Sequence, residues 1–336
     1  MSENTISRRE LMQWLGAAAG TAMLGGALLA SGCSGQKKAA DGTADDGGQA
    51  PKTDKDKKAY ATKRLVFYFT GTGNSLYVAR QLSQDAVSIP QVIHQDELMF
   101  EAEEIGIVYP LYGHMPPNMV REFIQKAKLK CDYLFAVITY GHQTCNASEI
   151  LVQIGNGAGH TFNYIASVSM VDNWLPRFDM EEEKKLERKV DEDLARIVAE
   201  VDARKNGIEP VTDEEREQHE AFLKVAGPTF AADGIHARAE EWFTVTDKCV
   251  TCGDCTRVCP RNNYKIEIEK AVPTGTCELC LACIHACHHK AIMIASGEKN
   301  PNARYRHPMV KLRDISTANS QLKSAQGKRP HGHNRT

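Results

Sequence analysis

Four apolar stretches organise the middle of the chain: Arg64–Phe69, Glu104–Tyr109, Tyr133–Thr139 and Phe162–Met170. Each is rich in β-branched and aromatic residues and too short for a helix of ordinary length, which is how buried strands read. Between them the apolar positions return with a helical period. Leu76, Ala79 and Leu82 follow the first strand. Met119, Val120, Phe123, Ile124 and Ala127 form one face after the second, with Pro117 suited to the first turn, and a third helix starts near Ser148. Strand and helix alternating in this way predict a parallel sheet with helices on both faces.

Met170-Val171-Asp172-Asn173-Trp174-Leu175-Pro176 breaks that pattern. The spacing then predicts one long amphipathic helix from about Met180 to Lys205, with Leu186, Val190, Leu194, Ile197, Val198 and Val201 on its stripe. Gly207 can close it and Pro210 prevents its return. Thr212 and Glu215 have capping-box spacing and open a helix to about Val225, ended by Gly227-Pro228. The dense charges of Glu181–Lys185 read as a solvated face. Trp242 and Phe243 are expected to pack at the entry to a cysteine-rich segment. After Ile294 the chain turns polar and is read as a disordered tail ending Lys328-Arg329-Pro330-His331-Gly332-His333.

The length of 336 residues gives room for two domains besides flanking segments. A net charge of −2 gives no strong attraction to nucleic acid, and a hydrophobic content of 42% is ordinary for a globular protein.

Eight of the 11 cysteines lie between Cys249 and Cys287, in two copies of one spacing. The first copy is Cys249-x2-Cys252-x2-Cys255-x3-Cys259-Pro260, and the second is Cys277-x2-Cys280-x2-Cys283-x3-Cys287. Three cysteines at this spacing wrap three corners of a cuboidal iron–sulfur cluster, while the fourth ligates the other cluster. One 4Fe-4S cluster would therefore take Cys249, Cys252, Cys255 and Cys287, and the other Cys277, Cys280, Cys283 and Cys259. Structural zinc favours separated ligand pairs and gives no reason for a crossed fourth cysteine. The leftover cysteines, Cys33, Cys131 and Cys145, argue against a disulfide scaffold. Residues 245–296 resemble bacterial two-cluster ferredoxins, with His288 where that pattern usually has proline.

The first strand ends in Thr70-Gly71-Thr72-Gly73-Asn74-Ser75 and a helix starts at once. A strand, a polar Gly-rich turn and a helix N-terminus together make an anion site, since backbone N–H groups and the helix dipole point at the ligand. The hydroxyls of Thr70, Thr72 and Ser75 add donors. No lysine follows the glycines, which excludes a triphosphate P-loop, and the GxGxxG spacing is absent. The loops after the next two strands, 109–115 and 139–145, leave the same edge of the sheet, so one ligand can touch all three.

The turn resembles the FMN-phosphate loop of flavodoxins. That resemblance implies FMN, with phosphate on Thr70–Ser75 and the ring between Tyr109, Leu111, Tyr112, Gly113 and His114 on one side and Thr139, Tyr140 and Gly141 on the other. Tyr109, Tyr112 and Tyr140 are the candidates to stack on the ring, or else to cover the strand ends. His114 and His142 face either flavin or solvent, and Cys131 and Cys145 are read as packed thiols. A carboxylate placed at Gly73 is expected to fill the phosphate's cradle. The order of parts, with the segment around Trp174, is similar to a family that fuses a flavodoxin-like domain to a two-cluster ferredoxin, the ferrodoxin type. In that family's terms Trp174 approaches the flavin or covers the domain junction.

At the N-terminus, Arg8-Arg9 precedes the apolar run Trp14–Ala30 and resembles a twin-arginine export signal. Leu28-Leu29-Ala30-Ser31-Gly32-Cys33 resembles a lipoprotein cleavage box that would lipidate Cys33; an uncleaved anchor is the alternative. Residues 34–62 hold almost nothing apolar and read as a flexible tether.

The expected fold class is α/β: a flavodoxin-like doubly wound parallel sheet plus a small α+β ferredoxin-type domain. The divisions are 1–33 signal, 34–62 tether, 63–178 flavodoxin-like domain, 179–244 helical connector, 245–296 two-cluster domain and 297–336 tail. The expected function is electron transfer between FMN and two 4Fe-4S clusters on the outer face of the cytoplasmic membrane, with redox proteins or a quinone as partners. An FMN-dependent reductase of a quinone and a flavin-free docking module are the alternatives; an enzyme and a carrier are both open.

Overall fold

The computed structural model describes residues 62–321. At its centre is a six-stranded sheet in which every neighbouring pair runs parallel. In chain order the strands are β1 (Arg64–Tyr68), β2 (Val87–Ser88), β3 (Glu104–Pro110), β4 (Tyr133–Tyr140), β5 (Tyr164–Ser169) and β6 (Gly207–Ile208). In space they follow β2-β1-β3-β4-β5-β6, the order of flavodoxin-like sheets, which reverses direction between β1 and β3. β3 and β4 are the central pair and are buried almost throughout, so they read as unbroken apolar runs with no alternation. Gly106 in β3 faces Phe135 in β4, and the ring of Phe135 fills the space a Cβ at position 106 would need.

Helices α1 (Asn74–Leu82), α2 (Asn118–Lys126) and α3 (Ala147–Gly157) connect the strands. The expected long helix is two. α4 (Met180–Glu183) is capped by the Asp179 carboxylate, which accepts from the Glu181 N–H at 2.9 Å, and α5 (Val190–Asp202) follows a break. The break lets Glu183 turn inward, where Arg188 reaches it at 2.6 Å. Leu194, Ile197 and Val201 carry the buried stripe, while Leu186 is left exposed. α5 packs on α1 and β5 and delivers β6, whose Gly207 and Ile208 pair with Tyr164 and Ile165. The sheet therefore takes in Gly207 and Ile208 of the expected connector, and α5 packs on it. α6 (Asp213–Ala226) has the capping box foreseen: Thr212 Oγ1 accepts from the Glu215 N–H, and the Glu215 carboxylate accepts from the Thr212 N–H.

The cysteine-rich part is built on two short antiparallel ladders. β7 (Phe243–Val245) pairs with β10 (Ile292–Ile294), and β8 (Tyr264–Ile266) with β9 (Ala271–Pro273). The helices α7 (Asp254–Val258) and α8 (Ala282–Ala286) each begin inside one cysteine run and pack on each other.

The largest departure from expectation lies after Ile294. Residues 298–321 form an ordered strap ending in α9 (Leu312–Asn319), which packs on α7. Tyr305, Val310, Ile315 and Ala318 are buried along it, enough apolar anchors to offset the ordering of an otherwise polar segment. The strap crosses both halves of the molecule. His307 N–H donates to Thr72 O at 2.9 Å, Tyr305 Oη donates to Asn74 Oδ1 at 2.7 Å, and Gln321 Nε2 donates to Pro260 O at 2.6 Å. Asn319 has no exposed surface, and its Nδ2 donates to Thr70 O at 3.2 Å and to Val258 O at 2.8 Å.

The segments Trp14–Ala30 and Lys328–His333, Cys33 and the expected tether up to residue 61 lie outside the described residues. Among the described residues no helix is long and apolar enough to cross a membrane.

Asn319→Ala removes the donor shared by two buried carbonyls. It is expected to lower unfolding free energy by about 2–3 kcal/mol, the scale for buried acceptors stripped of their partner, as read by denaturant unfolding.

Candidate functional site

The carboxyl ends of β1, β3 and β4 open onto one cleft with two joined parts. The polar part is lined by Thr70, Gly71, Thr72, Asn74 and Ser75, with Thr139 opposite. The larger part is a cavity of about 250 Å³ that takes in Gly113, His114, His142, Trp174, Phe178 and Phe222. Leu111, Tyr112, Tyr140, Gly141, Asp172 and Asn173 line both.

The Gly-rich turn is held by its own side chains. Thr70 Oγ1 accepts from the Gly73 N–H at 3.0 Å, and Thr72 Oγ1 accepts from Asn173 Nδ2 at 3.1 Å. Both hydroxyl protons therefore remain available to an anion. Ser75 and Thr139 share a 2.8 Å hydroxyl pair, and Asn74 Nδ2 donates to Val171 O at 3.0 Å. The segment 171–174, which broke the sequence pattern, thus closes the cleft from its third side. Trp174 lines the cavity and also meets Trp242, with ring centroids 6.4 Å apart.

Two residues assigned to the cleft are elsewhere. Tyr109 is fully buried in the core and lines neither part, because side chains alternate along β3 and its neighbour in sequence takes the outward place. Gly73 has φ +104° as the residue before α1, and a Cβ there would meet Val310 and His307 of the strap. Its backbone demands glycine, but a side chain at 73 would press on the strap and leave the cradle open. Gly71 is the tight position: a Cβ on it would strike the backbone carbonyl of Cys280 and come 2.8 Å from Tyr112 Oη.

His114 also has positive φ, 62°. Burial, assisted by neighbouring His219, pushes its imidazole down to about 3. Cys145 is buried 3.6 Å from His114 Nε2 and outside the cavity lining, with burial pushing its thiol up to about 12. Cys131 packs against the core. Asp172, Arg177, Gln218 and Phe230 line the cavity and carried no sequence signal; the last two come from α6 and the segment just after it, outside the central sheet.

The eight clustered cysteines fall into two groups of four. Cys249, Cys252, Cys255 and Cys287 line one small cavity, and Cys259, Cys277, Cys280 and Cys283 line another. Each group takes three sulfurs from one run and the fourth from the other. The two runs repeat one backbone conformation: Thr251 and Leu279, then Gly253 and Leu281, then Asn262 and Lys290 all have positive φ. Left-handed turns of this kind aim successive N–H groups into a concavity that favours anions. Backbone N–H groups of Leu279, Asn263, Ala291 and Ala271 donate to the sulfurs of Cys277, Cys259, Cys287 and Cys249 at 3.2–3.4 Å. Burial pushes the thiols of Cys255 and Cys277 up to about 12. Among the described residues no three His, Cys, Asp or Glu converge closely enough for a single metal ion.

The inner group abuts the cleft. Leu279 lines the large cavity, and Cys280 O lies against Gly71. Tyr112 stands between them with its Oη buried and lacking a hydrogen-bond partner. His285 of α8 donates from Nε2 to Asn173 O at 2.9 Å and accepts at Nδ1 from the Tyr305 N–H at 3.0 Å, tying cysteine run, cleft and strap together. Glu278, buried between Cys277 and Leu279, accepts from Arg261 Nε at 2.6 Å and from the Met119 N–H at 3.3 Å. The outer group reaches the surface at Cys252, which is exposed.

No family model matches the chain, and no curated protein matches it. Two solved structures, each described as a "putative flavoprotein", align with part of it. One from Bacteroides uniformis is 15% identical, covering 32% of this chain and 90% of its own, with a TM-score of 0.27. One from Bacteroides eggerthii is 16% identical, covering 41% and 98%, with a TM-score of 0.27. Likeness at that score decides nothing, and the strand order and site geometry stand on their own.

Gly71→Ala is expected to separate turn from cysteine run, lowering the melting temperature and disturbing both sites. Gly157→Ala, where a Cβ meets nothing within 4 Å, is the control that should leave melting unchanged. A second expectation concerns acid. His114 stays neutral when folded but binds a proton near pH 6.5 when unfolded, so folding loses stability as pH falls below 6.5 toward 3. The stability difference between the native chain and His114→Gln should move against the native chain by about 1–2 kcal/mol from pH 7 to pH 5, read by urea unfolding at each pH.

Proposed function

We propose that the chain is an electron-transfer flavo-iron–sulfur protein, with FMN in the cleft and a 4Fe-4S cluster in each cysteine cavity. The observation that carries this reading is the adjacency of the two kinds of site: Leu279, inside a cysteine run, forms part of the cleft wall, and Cys280 O rests on the Gly-rich turn.

The residues present fit these groups. The polar part of the cleft has two hydroxyls free to donate and the N-terminus of α1, suited to a phosphate. The unpartnered Oη of Tyr112 needs a polar neighbour, which a flavin ring supplies. The crossed sets of four sulfurs match the ligation of two-cluster ferredoxins, and N–H···S hydrogen bonds are the means by which a protein tunes such clusters. When bound, FMN takes electrons in pairs and releases them singly, and the clusters pass them one at a time. The chain's own part is to hold the sites at fixed separation, through Glu278–Arg261, His285 and the strap, and to keep water from Cys259, Cys280 and Cys283, which are buried.

Export of the folded, cofactor-loaded chain through a twin-arginine signal and attachment through lipidated Cys33 complete the proposal. They place the work on the outer face of the cytoplasmic membrane, between redox proteins or a quinone. Exposed Cys252 marks the outer cavity as the side open to a partner.

Anaerobically purified protein should carry about one flavin and about eight iron atoms, the count for two cuboidal clusters. Stopped-flow reduction should show both absorbances responding on one intramolecular time course. Iron without flavin, or flavin that never equilibrates with iron, refutes the reading. Cys287→Ala should lose about half the iron and the signal of the Cys249 cavity, although Cys287 belongs to the second run; loss confined to the Cys277 cavity would overturn the crossed assignment.

A further inference from the structure

One wall of the large cavity has no part in holding phosphate or positioning the cysteines. It is formed by His142, Arg177 and Phe178 and, from α6, Gln218, Ala221 and Phe222. His142 is built into it with care for orientation. Its ring stacks on Phe178, with centroids 4.4 Å apart and planes 14° apart, and its Nε2 donates to Glu183 Oε1 at 3.0 Å. Glu183 is itself buried and held by Arg188 at 2.6 Å. A carboxylate behind an imidazole fixes which nitrogen bears the proton and aims the other edge of the ring. The break between α4 and α5 is what brings Glu183 to this place. The His142 side chain keeps 36% of its surface exposed, so the imidazole remains reachable from the cavity.

The charges around this wall oppose one another. Arg177 and His142 face Asp172, with Glu183 and Arg188 behind them. Burial holds the Asp172 carboxyl above the usual carboxylate range and Arg177 below the usual guanidinium range. The wall thus offers aromatic faces, one amide and one oriented imidazole, with no excess charge to draw in an ion.

We propose that this wall is a binding site for a second ligand: a flat, uncharged aromatic compound bearing carbonyl oxygens, of the quinone class. The inference rests on the reading that FMN occupies the remainder of the cleft. The ligand's faces lie against Phe178 and Phe222, and a carbonyl oxygen accepts from His142. With Nε2 committed to Glu183, the second ring nitrogen donates only when the imidazole is protonated and accepts when it is neutral. That nitrogen can therefore meet the carbonyl form of the ligand as a donor or its hydroxyl form as an acceptor.

The test is calorimetric titration of the oxidised holoprotein with tetramethyl-1,4-benzoquinone. This probe is fully substituted against thiol addition, and with both partners oxidised no electrons move. Saturable one-to-one binding is the expected result. His142→Gln should retain flavin and iron and bind the quinone about tenfold more weakly. Phe222→Ala should weaken binding as well. Absence of saturable binding by protein that carries stoichiometric flavin overturns the inference and leaves the electron-transfer reading standing. Unchanged affinity in His142→Gln overturns the role of the imidazole. A chain purified without flavin overturns both readings together.

Discussion

The contact on which the structure depends is a main-chain one: the carbonyl of Cys280 against the bare Cα of Gly71. Backbone touching backbone leaves no side chain between the Gly-rich turn and the inner cysteine run. Cys259, Cys280 and Cys283 of the inner group are buried, and Cys277 is partly so. Everything nearby supports that approach. Glu278 reaches α2, His285 reaches Asn173, and the strap bonds to Thr70, Thr72 and Asn74 while also holding Val258 and Pro260.

Such an arrangement gives the two halves one mechanical fate. Neither the turn nor the cysteine run can shift without breaking hydrogen bonds that share residues, notably Asn319 and His285. In the proposed role this is the useful property, because transfer between fixed sites depends on their separation and on the medium between them. The outer cysteine group has the opposite setting, with Cys252 at the surface.

The cleft repeats that division of labour. Its polar end is made from backbone and small hydroxyl side chains at strand ends, and its wide end from aromatic residues carried by segments outside the sheet. Gly141 shows how closely the two are fitted: a Cβ there would collide with Asp172. The excursions that supply Phe178, Gln218 and Phe222 therefore form the chamber itself.

Much of this was legible in the residues. Buried parallel strands announce themselves as continuous apolar runs, so β1, β3, β4 and β5 were located to within about two residues. Three cysteines of each group of four lie within seven residues of one another, so spacing alone marked them, while the fourth comes from the other run. What followed from contacts between distant segments was not legible. Tyr109 could not be told from Tyr112 until the strand's facing was known, and Gly73 looked like a cradle residue until the strap was seen beside it. The division at Glu183 followed from Arg188 and His142, which no helical period encodes. The strap was hidden for the same reason: its composition is that of a solvated tail, and its order comes from buried anchors and hydrogen-bond partners up to 249 residues away in the chain. Sequence alone determined the local elements and the two repeated cysteine runs, since periodicity and spacing act over a few turns. Tertiary structure decided which of those elements meet, because burial and hydrogen bonding between remote segments exist only once the chain has folded.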